Sequence, residues 1–228
     1  MSKDFKLIVI EGVDSSGKAT QSALLKERLA GEGKKVVSVE FPNYQSDSSS
    51  VVKMYLGGEF GTDPNAVSPY AASMFFAVDR VASVKVTWKE LFSNGNIVIA
   101  DRYTTSNMVH QASKIKDEAA KGEFLDWLYD LEYEKLALPK PDAVIFLDMP
   151  VENARQLMAA RANKIDNSDV KDIHERNADY LQQSYDNAVF VAEKYDWTRV
   201  RCAIDGKVRT IEDISDEIYE NIKSIIGD

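Results

Sequence analysis

Short apolar runs punctuate the chain at near-regular intervals. Leu7-Ile8-Val9-Ile10, Ile97-Val98-Ile99-Ala100 and Ala143 to Leu147 are unbroken, Val36 to Phe41 is rich in β-branched residues, and Val200 to Ala203 reads as a fifth, short strand. That is how strands buried on both faces of a parallel sheet read. Helical stretches lie between them: Ser22 to Leu29, Val51 to Leu56, Pro69 to about Phe92, Ser106 to Ser113, Glu118 to Lys135, Val151 to Ala160, His174 to Lys194 and Ile211 to Ile226. Ser68-Pro69 marks the start of the longest, a capping serine with proline at the first helical position. In Glu118 to Lys135, Phe124, Leu125, Leu128, Leu131 and Tyr133 supply the apolar face. Strand and helix alternate throughout, which predicts one α/β domain. Its expected form is a three-layer sandwich, a five-stranded parallel sheet with helices on both faces. Ligands of such sheets bind beyond the carboxyl ends of the strands. Gly12, Pro42, Asp101, Asp148 and Asp205 all fall at or just after strand ends, so that edge is the expected site.

The first strand-to-helix connection carries the strongest chemistry. Gly12-Val13-Asp14-Ser15-Ser16-Gly17-Lys18 is a glycine-bounded turn with a lysine directly after the second glycine, the arrangement of a phosphate-cradling loop. Glycines let consecutive backbone N–H groups face one concavity, and the following helix aims its free N–H groups at the same place. Lys18 adds a mobile cation for the β- and γ-phosphates. The next residue is Ala19, where the general motif has a metal-binding hydroxyl. The hydroxyl comes one position later, at Thr20, rotated by ~100° around the helix. Gly-Lys-small-Thr-Gln resembles the loop of the adenylate kinases, which also lack that hydroxyl. The resemblance implies a kinase in which water and carboxylates hold the metal.

Composition narrows the partners. Over 228 residues, 28 Lys and Arg against 37 Asp and Glu leave a net charge of −9. That balance argues against nucleic acid or an anionic membrane as the main partner, so any phosphate site must be local. Cys202 is the single cysteine, and His110 and His174 are the two histidines, which leaves no disulfide framework and no zinc set. Met1-Ser2-Lys3-Asp4 runs straight into a strand without a signal peptide. No apolar run approaches the ~18 residues of a membrane span. The expectation is a soluble, cytoplasmic protein.

Three further constellations bear on function. Asp101-Arg102-Tyr103 ends the third strand. There Asp101 can hold Mg²⁺ through water or orient an acceptor phosphate, and Arg102 offers a fork for phosphate oxygens. The plain alternative is a solvated ion pair. Phe76 and Arg80 share one helical face, and Phe75 and Asp79 a neighbouring one. An aromatic beside an arginine suits a base, although the period alone favours core for both phenylalanines. Arg161 and Lys164 stand in a polar stretch between helices, which reads as a basic lid or as an ordinary solvated loop. His174-Glu175-Arg176 lacks the second histidine of a zinc motif.

Taken together, these residues resemble the thymidylate kinase family. Four segments match in order: Glu11-Gly12-Val13-Asp14-x-x-Gly17-Lys18-x-Thr20-Gln21, Phe41-Pro42, Phe76 to Arg80, and Asp101-Arg102-Tyr103-x-x-Ser106. Shikimate and adenylate kinases share the loop but are not expected to show the other three together. The resemblance implies transfer of the ATP γ-phosphate to dTMP with Mg²⁺. Gly12, Asp14, Ser15, Ser16, Gly17, Lys18, Ala19 and Thr20 then form the ATP loop. Phe76 stacks on thymine, and Arg80 contacts its carbonyl edge. Ser106 and Asn107 lie near the base, Asp14 faces the deoxyribose 3′-hydroxyl, and Arg102 holds the monophosphate. Phe41-Pro42 shapes the monophosphate site, a cis proline being one way to do so. Residues from Arg161 to about 173 form the lid, and Lys207-Val208 flank adenine. A homodimer is implied on the same basis. Two positions depart from the pattern. Glu40 stands where many relatives have an arginine, and Ser15-Ser16 stand where some have a basic residue, which shifts that role toward Arg161. The rival readings are a kinase for another small acceptor and a nucleotide-binding switch. Ala19 supports the switch; Arg80 and Arg102, a second phosphate-binding set, speak against it.

Overall fold

The computed structural model describes residues 5–88, 91, 95–162 and 178–227, without the side chains of 160–162, 178 and 179. The chain runs β1 (Phe5–Glu11), α1 (Lys18–Gly31), β2 (Val36–Glu40), α2 (Ser50–Gly57), α3 (Pro69–Val86), β3 (Asn96–Asp101), α4 (Thr104–His110) and α5 (Glu118–Tyr129). A π-helical turn (Asp130–Lys135) follows, then β4 (Ala143–Asp148), α6 (Val151–Ala162), α7 (Ala178–Lys194), β5 (Thr198–Arg201), β6 (Ala203–Ile204), β7 (Lys207–Val208) and α8 (Ile211–Ile226). β1 to β5 form a five-stranded sheet in the order β2-β3-β1-β4-β5, every pair parallel.

Both faces of the sheet are buried, as its apolar runs predict. Alternation along β1 and β3 sends Leu7, Val9, Val98 and Ala100 into one core, with Phe124, Leu128 and Val191 from the helices and Trp88 from the segment after α3. Ile8, Ile10, Ile97 and Ile99 enter the other, with Leu25 and Leu29 of α1 and Ile214, Ile218 and Ile222 of α8. The layers are therefore helices, sheet, helices. The register brings the functional edge level: Ile10 and Glu40 both pair with Asp101. The ends of β1, β2 and β3 thus lie side by side.

Several boundaries differ from the sequence expectation, each for a local reason. α3 stops at Val86 rather than near Phe92. Thr87 N and Oγ1 both donate to Ser83 O, at 2.8 and 2.7 Å, and Trp88 N turns back to the same oxygen at 3.3 Å, which ends the helical ladder. Trp88 then turns inward and is buried against Phe41 and Tyr103. The fifth strand lies two residues earlier than expected. Beyond it, Ala203–Ile204 and Lys207–Val208 pair antiparallel. Their link is Asp205-Gly206, both at positive φ (50° and 74°), which suits a two-residue hairpin turn. α4 begins at Thr104. α6 continues through Ala162, so the Arg161 backbone is helical rather than the start of a loop. The remainder of the expected lid, with Lys164 and His174-Glu175-Arg176, lies outside the described residues.

Candidate active site

The loop after β1 folds as a tight cradle. A Cβ on Gly12 would meet Ser16 Oγ at 2.5 Å and Leu147 O at 3.1 Å, so a larger residue would push Ser16 and the Leu147 backbone out of place. Gly17 caps α1 at φ 95°, a left-handed conformation that favours glycine. Ser16 Oγ is buried with no hydrogen-bond partner among the described residues. Lys18 is buried and folds back over its own loop. Its Nζ donates to Gly12 O at 2.9 Å and Val13 O at 2.8 Å. Burial pushes the Lys18 ammonium down to about 8, helped by Arg102 and opposed by Asp14, Asp101 and Glu11.

Those four charges mark the centre of the site. Arg102 leaves β3 at φ 65°, a conformation non-glycine residues rarely hold. Its guanidinium donates to Asp14, lies 3.0 Å from His110 Nε2 and 3.8 Å from Glu11. Burial works against its charge, but Asp14, Glu11 and Asp101 outweigh that and raise its pKa. Glu11 is fully buried. It accepts from Gly12 N at 3.0 Å, Thr105 Oγ1 at 2.6 Å and Ser106 Oγ at 2.7 Å. It therefore ties the phosphate loop to the first turn of α4.

A cavity of about 280 Å³ opens at this edge. Asp14, Phe41, Pro42, Phe76, Arg80, Arg102, Ser106 and Asn107 line it, together with Asp101, Glu40, Tyr44, Leu56, Tyr103, His110 and Gln111. Every acceptor-side residue singled out from the sequence thus faces one space. The Phe41-Pro42 bond is cis. Phe41 packs on Tyr103 and Trp88. The next turn is fixed by Asp79, which accepts from Asn43 N at 2.8 Å and Ser48 Oγ at 2.6 Å. The two phenylalanines of α3 divide. Phe75 packs between Tyr55 and Phe60, as the core reading has it. Phe76 lies edge-on to Tyr55, 6.1 Å between centroids, and lines the cavity.

The far end of the cavity holds a buried ion pair. Arg80 donates through Nε and Nη2 to Glu132 at 2.7 and 2.5 Å, and through Nη1 to Tyr103 O at 3.3 Å. Asn107 Nδ2 donates to Glu132 at 2.9 Å and to Ser73 O at 3.2 Å. His110 is covered from α7, where Tyr180 stacks on its ring and donates to its carbonyl at 3.0 Å.

The remaining candidates lie outside this cavity lining. Ala19 and Thr20 are exposed on α1. Lys207 and Val208 stand exposed on the hairpin. Gly206 O accepts from Asn153 of α6, and Ile211 O from Gln21 of α1, each at 3.0 Å, so the hairpin region is tied to helices flanking the phosphate loop. Asp148 ends β4 as expected, but its carboxylate is engaged away from the cavity. Its carboxylate accepts from Arg199 at 2.9 Å and Tyr185 at 2.8 Å. Among the described residues no group of three or more His, Cys, Asp or Glu could hold a metal by itself. No described helix is long and apolar enough to cross a membrane.

Sequence reasoning missed Glu132, gave no role to Glu11, and set His110 aside with the zinc question. One signal pointed to Glu132. An arginine placed among Ala77, Val81 and Val84 on a helix needs a buried carboxylate.

Comparison with known proteins gives one consistent picture. Residues 10–218 match the family model described as thymidylate kinase. A thymidylate kinase of Mycobacterium tuberculosis is 35% identical over 179 residues, 78% of this chain and 81% of that protein. A probable thymidylate kinase of Thermococcus onnurineus is 32% identical over 213 residues, 92% and 94% of the two chains. The thymidylate kinase of Homo sapiens is 30% identical over 148 residues, 65% of this chain and 63% of that protein.

Proposed function

The chain belongs to the thymidylate kinase family, and from that premise we propose that it transfers the γ-phosphoryl group of ATP to dTMP, giving dTDP. The observation that carries the reading is the convergence of eight acceptor-side residues on one cavity beside the phosphate loop.

In this reading ATP phosphates lie on the backbone of residues 12–18, and Ser16 Oγ finds its missing partner there. Lys18 exchanges Gly12 O and Val13 O for phosphate oxygens. Lys207-Val208 flank the adenine, and Arg161 adds a positive charge from the end of α6. The dTMP phosphate sits against Arg102, with Phe41-Pro42 shaping its pocket and Asp14 close to the sugar. Phe76 stacks on the base. Both Asn107 amide hydrogens have partners in the protein, so its Oδ1 serves as the acceptor for N3–H, while Arg80 Nη1 serves O4. An acceptor phosphate oxygen attacks the γ-phosphorus in line. A phosphate monoester is already anionic near neutral pH, so no general base is required. Catalysis is then positioning and charge neutralisation. Mg²⁺ suits a site edged by carboxylates that do not form a closed cage, because that ion keeps waters and leans on substrate phosphates. Asp101 would hold it through water, and it would neutralise charge on the transferred group.

α3 also carries exposed apolar residues at four-residue spacing, Tyr70, Met74 and Val78, which supports the homodimer expected of the family. The activity is tested by incubating the protein with ATP, Mg²⁺ and dTMP, and separately with dUMP, dCMP and dGMP. The expected outcome is dTDP as the dominant product and a melting temperature raised by dTMP beyond ATP alone. Absence of both would overturn the reading.

A further inference from the structure

Glu132 has no contact with the phosphates in the reading above, yet it organises the base end of the cavity. It is fully buried, and so is Arg80. An ionised carboxylate only accepts hydrogen bonds. Three donors converge on this one: Nε and Nη2 of Arg80 and Nδ2 of Asn107. The Asn107 amide therefore cannot flip. Its nitrogen must face Glu132 and Ser73 O, leaving Oδ1 for the side on which Asn107 lines the cavity. Arg80 is pinned by two of its nitrogens, and Nη1 remains as the donor next to Tyr103 O. Glu132 stands on the π-helical turn beside Tyr133, whose hydroxyl meets Thr104 at the start of α4. Such turns recur at functional sites.

We propose that Glu132 is a positioning residue that sets the hydrogen-bond polarity of the base site. By accepting from both neighbours it fixes which Arg80 nitrogen is left to donate and turns Asn107 so that it presents its acceptor. That pattern fits a carbonyl at position 4 next to N3–H. It opposes a 4-amino group next to a bare N3. The proposal rests on the reading of this cavity as the nucleotide acceptor site. A buried ion pair that only held the fold together would have no such polarity to impose.

The test compares dTMP with 5-methyl-dCMP, which differ only at position 4 and in the N3 hydrogen. Glu132→Gln puts an NH₂ where an acceptor stood, so either Arg80 or Asn107 must turn. The ratio of kcat/KM for dTMP to that for 5-methyl-dCMP should fall by about 10- to 100-fold, the range for one charge-assisted hydrogen bond, with the KM for ATP unchanged. Glu132→Asp keeps an acceptor-only group. It should lower kcat/KM for both nucleotides while holding the ratio within about threefold of the parent, which a merely structural role does not predict. If the Gln variant fails to fold, the Asp variant decides by its ratio alone. An unchanged ratio in Glu132→Gln, or equal collapse in both variants, overturns the proposal. A parent protein inactive on dTMP overturns the assigned reaction instead, and this inference with it.

Discussion

Lys18 and Arg80 are both buried cations at the edge of one sheet, and they are held in opposite ways. Lys18 rests on two carbonyl oxygens of its own loop, neutral acceptors that a phosphate can replace. Arg80 is gripped by a buried carboxylate and a carbonyl. Burial lowers the pKa of Lys18, so the donor end holds a charge that a polyanion would relieve. The acceptor end is already neutralised, and its donors are fixed before substrate arrives. The donor side is built for charge exchange and the base side for geometry, which is how a site can bind ATP by charge and still choose among bases.

The largest expected effect separates the two directly. Lys18→Ala should lower kcat by a factor on the order of 10²–10³, as for loss of one electrostatic stabiliser, without lowering the melting temperature, because burial disfavours the Lys18 charge. Arg80→Ala should destabilise the fold by about 3–5 kcal/mol, because it leaves Glu132 charged, buried and unpaired. Steady-state kinetics and thermal or denaturant melts on both variants check this. Equal loss of stability in the two would erase the contrast and make Lys18 a structural cation.

These two ends were not equally legible in the sequence. The sheet could be read because each buried strand is a continuous apolar run, and the phosphate loop because glycine, lysine and helix start lie within a few residues. The base end could be read only in part. Phe76 and Arg80 share a helix face, but their partners are distant in the chain: Glu132 lies 52 residues from Arg80. In Asp130-Leu131-Glu132-Tyr133-Glu134-Lys135 that glutamate looks like one more solvated acid. The π-helical turn that carries it inward leaves no periodic mark. Glu11 was hidden differently. It sits inside the loop motif, and only the fold shows that it grips Thr105 and Ser106. The hairpin Ala203–Val208 escaped notice because two-residue strands have no period to detect.

A smaller effect tests the charge stored at the donor end. The Lys18 pKa falls from 10.5 to about 8 on folding. Between those values the unfolded chain binds more protons, so stability must rise with pH there. From about pH 8 to about pH 9.5 the gain should be about 1.5 kcal/mol from this residue. Lys114, also lowered to about 8 by burial, adds to the same window, and the buried Cys202 thiol, pushed up to about 12, subtracts a smaller amount from it. Above that range Tyr103, Tyr133 and Tyr180, whose pKa values burial raises, reverse the slope. Denaturant melts across the window should show the full rise in the parent and a smaller one in both Lys18→Met and Lys114→Met. ATP should bind with uptake of a proton above about pH 8, because phosphate favours charged Lys18. Calorimetry in buffers of different ionisation enthalpy measures that uptake, and its absence would mean that Lys18 does not meet the nucleotide.

The smallest effect falls where the two ends meet. Asp79 stands one residue from Arg80 but faces away, toward the turn after Phe41-Pro42. There it accepts from Asn43 N and Ser48 Oγ. Asp79→Asn keeps the shape and one acceptor oxygen but places an NH₂ against a donor. Losing one buried hydrogen bond costs about 1 kcal/mol. That turn forms a wall of the acceptor cavity and touches neither Lys18 nor Glu132. The KM for dTMP should therefore rise about five-fold, the scale of the same free energy. The KM for ATP and the preference for dTMP over 5-methyl-dCMP should stay as in the parent. A change in base preference would mean that the turn and the base end are coupled through α3, so that geometry there is set by the helix as a whole rather than by Glu132.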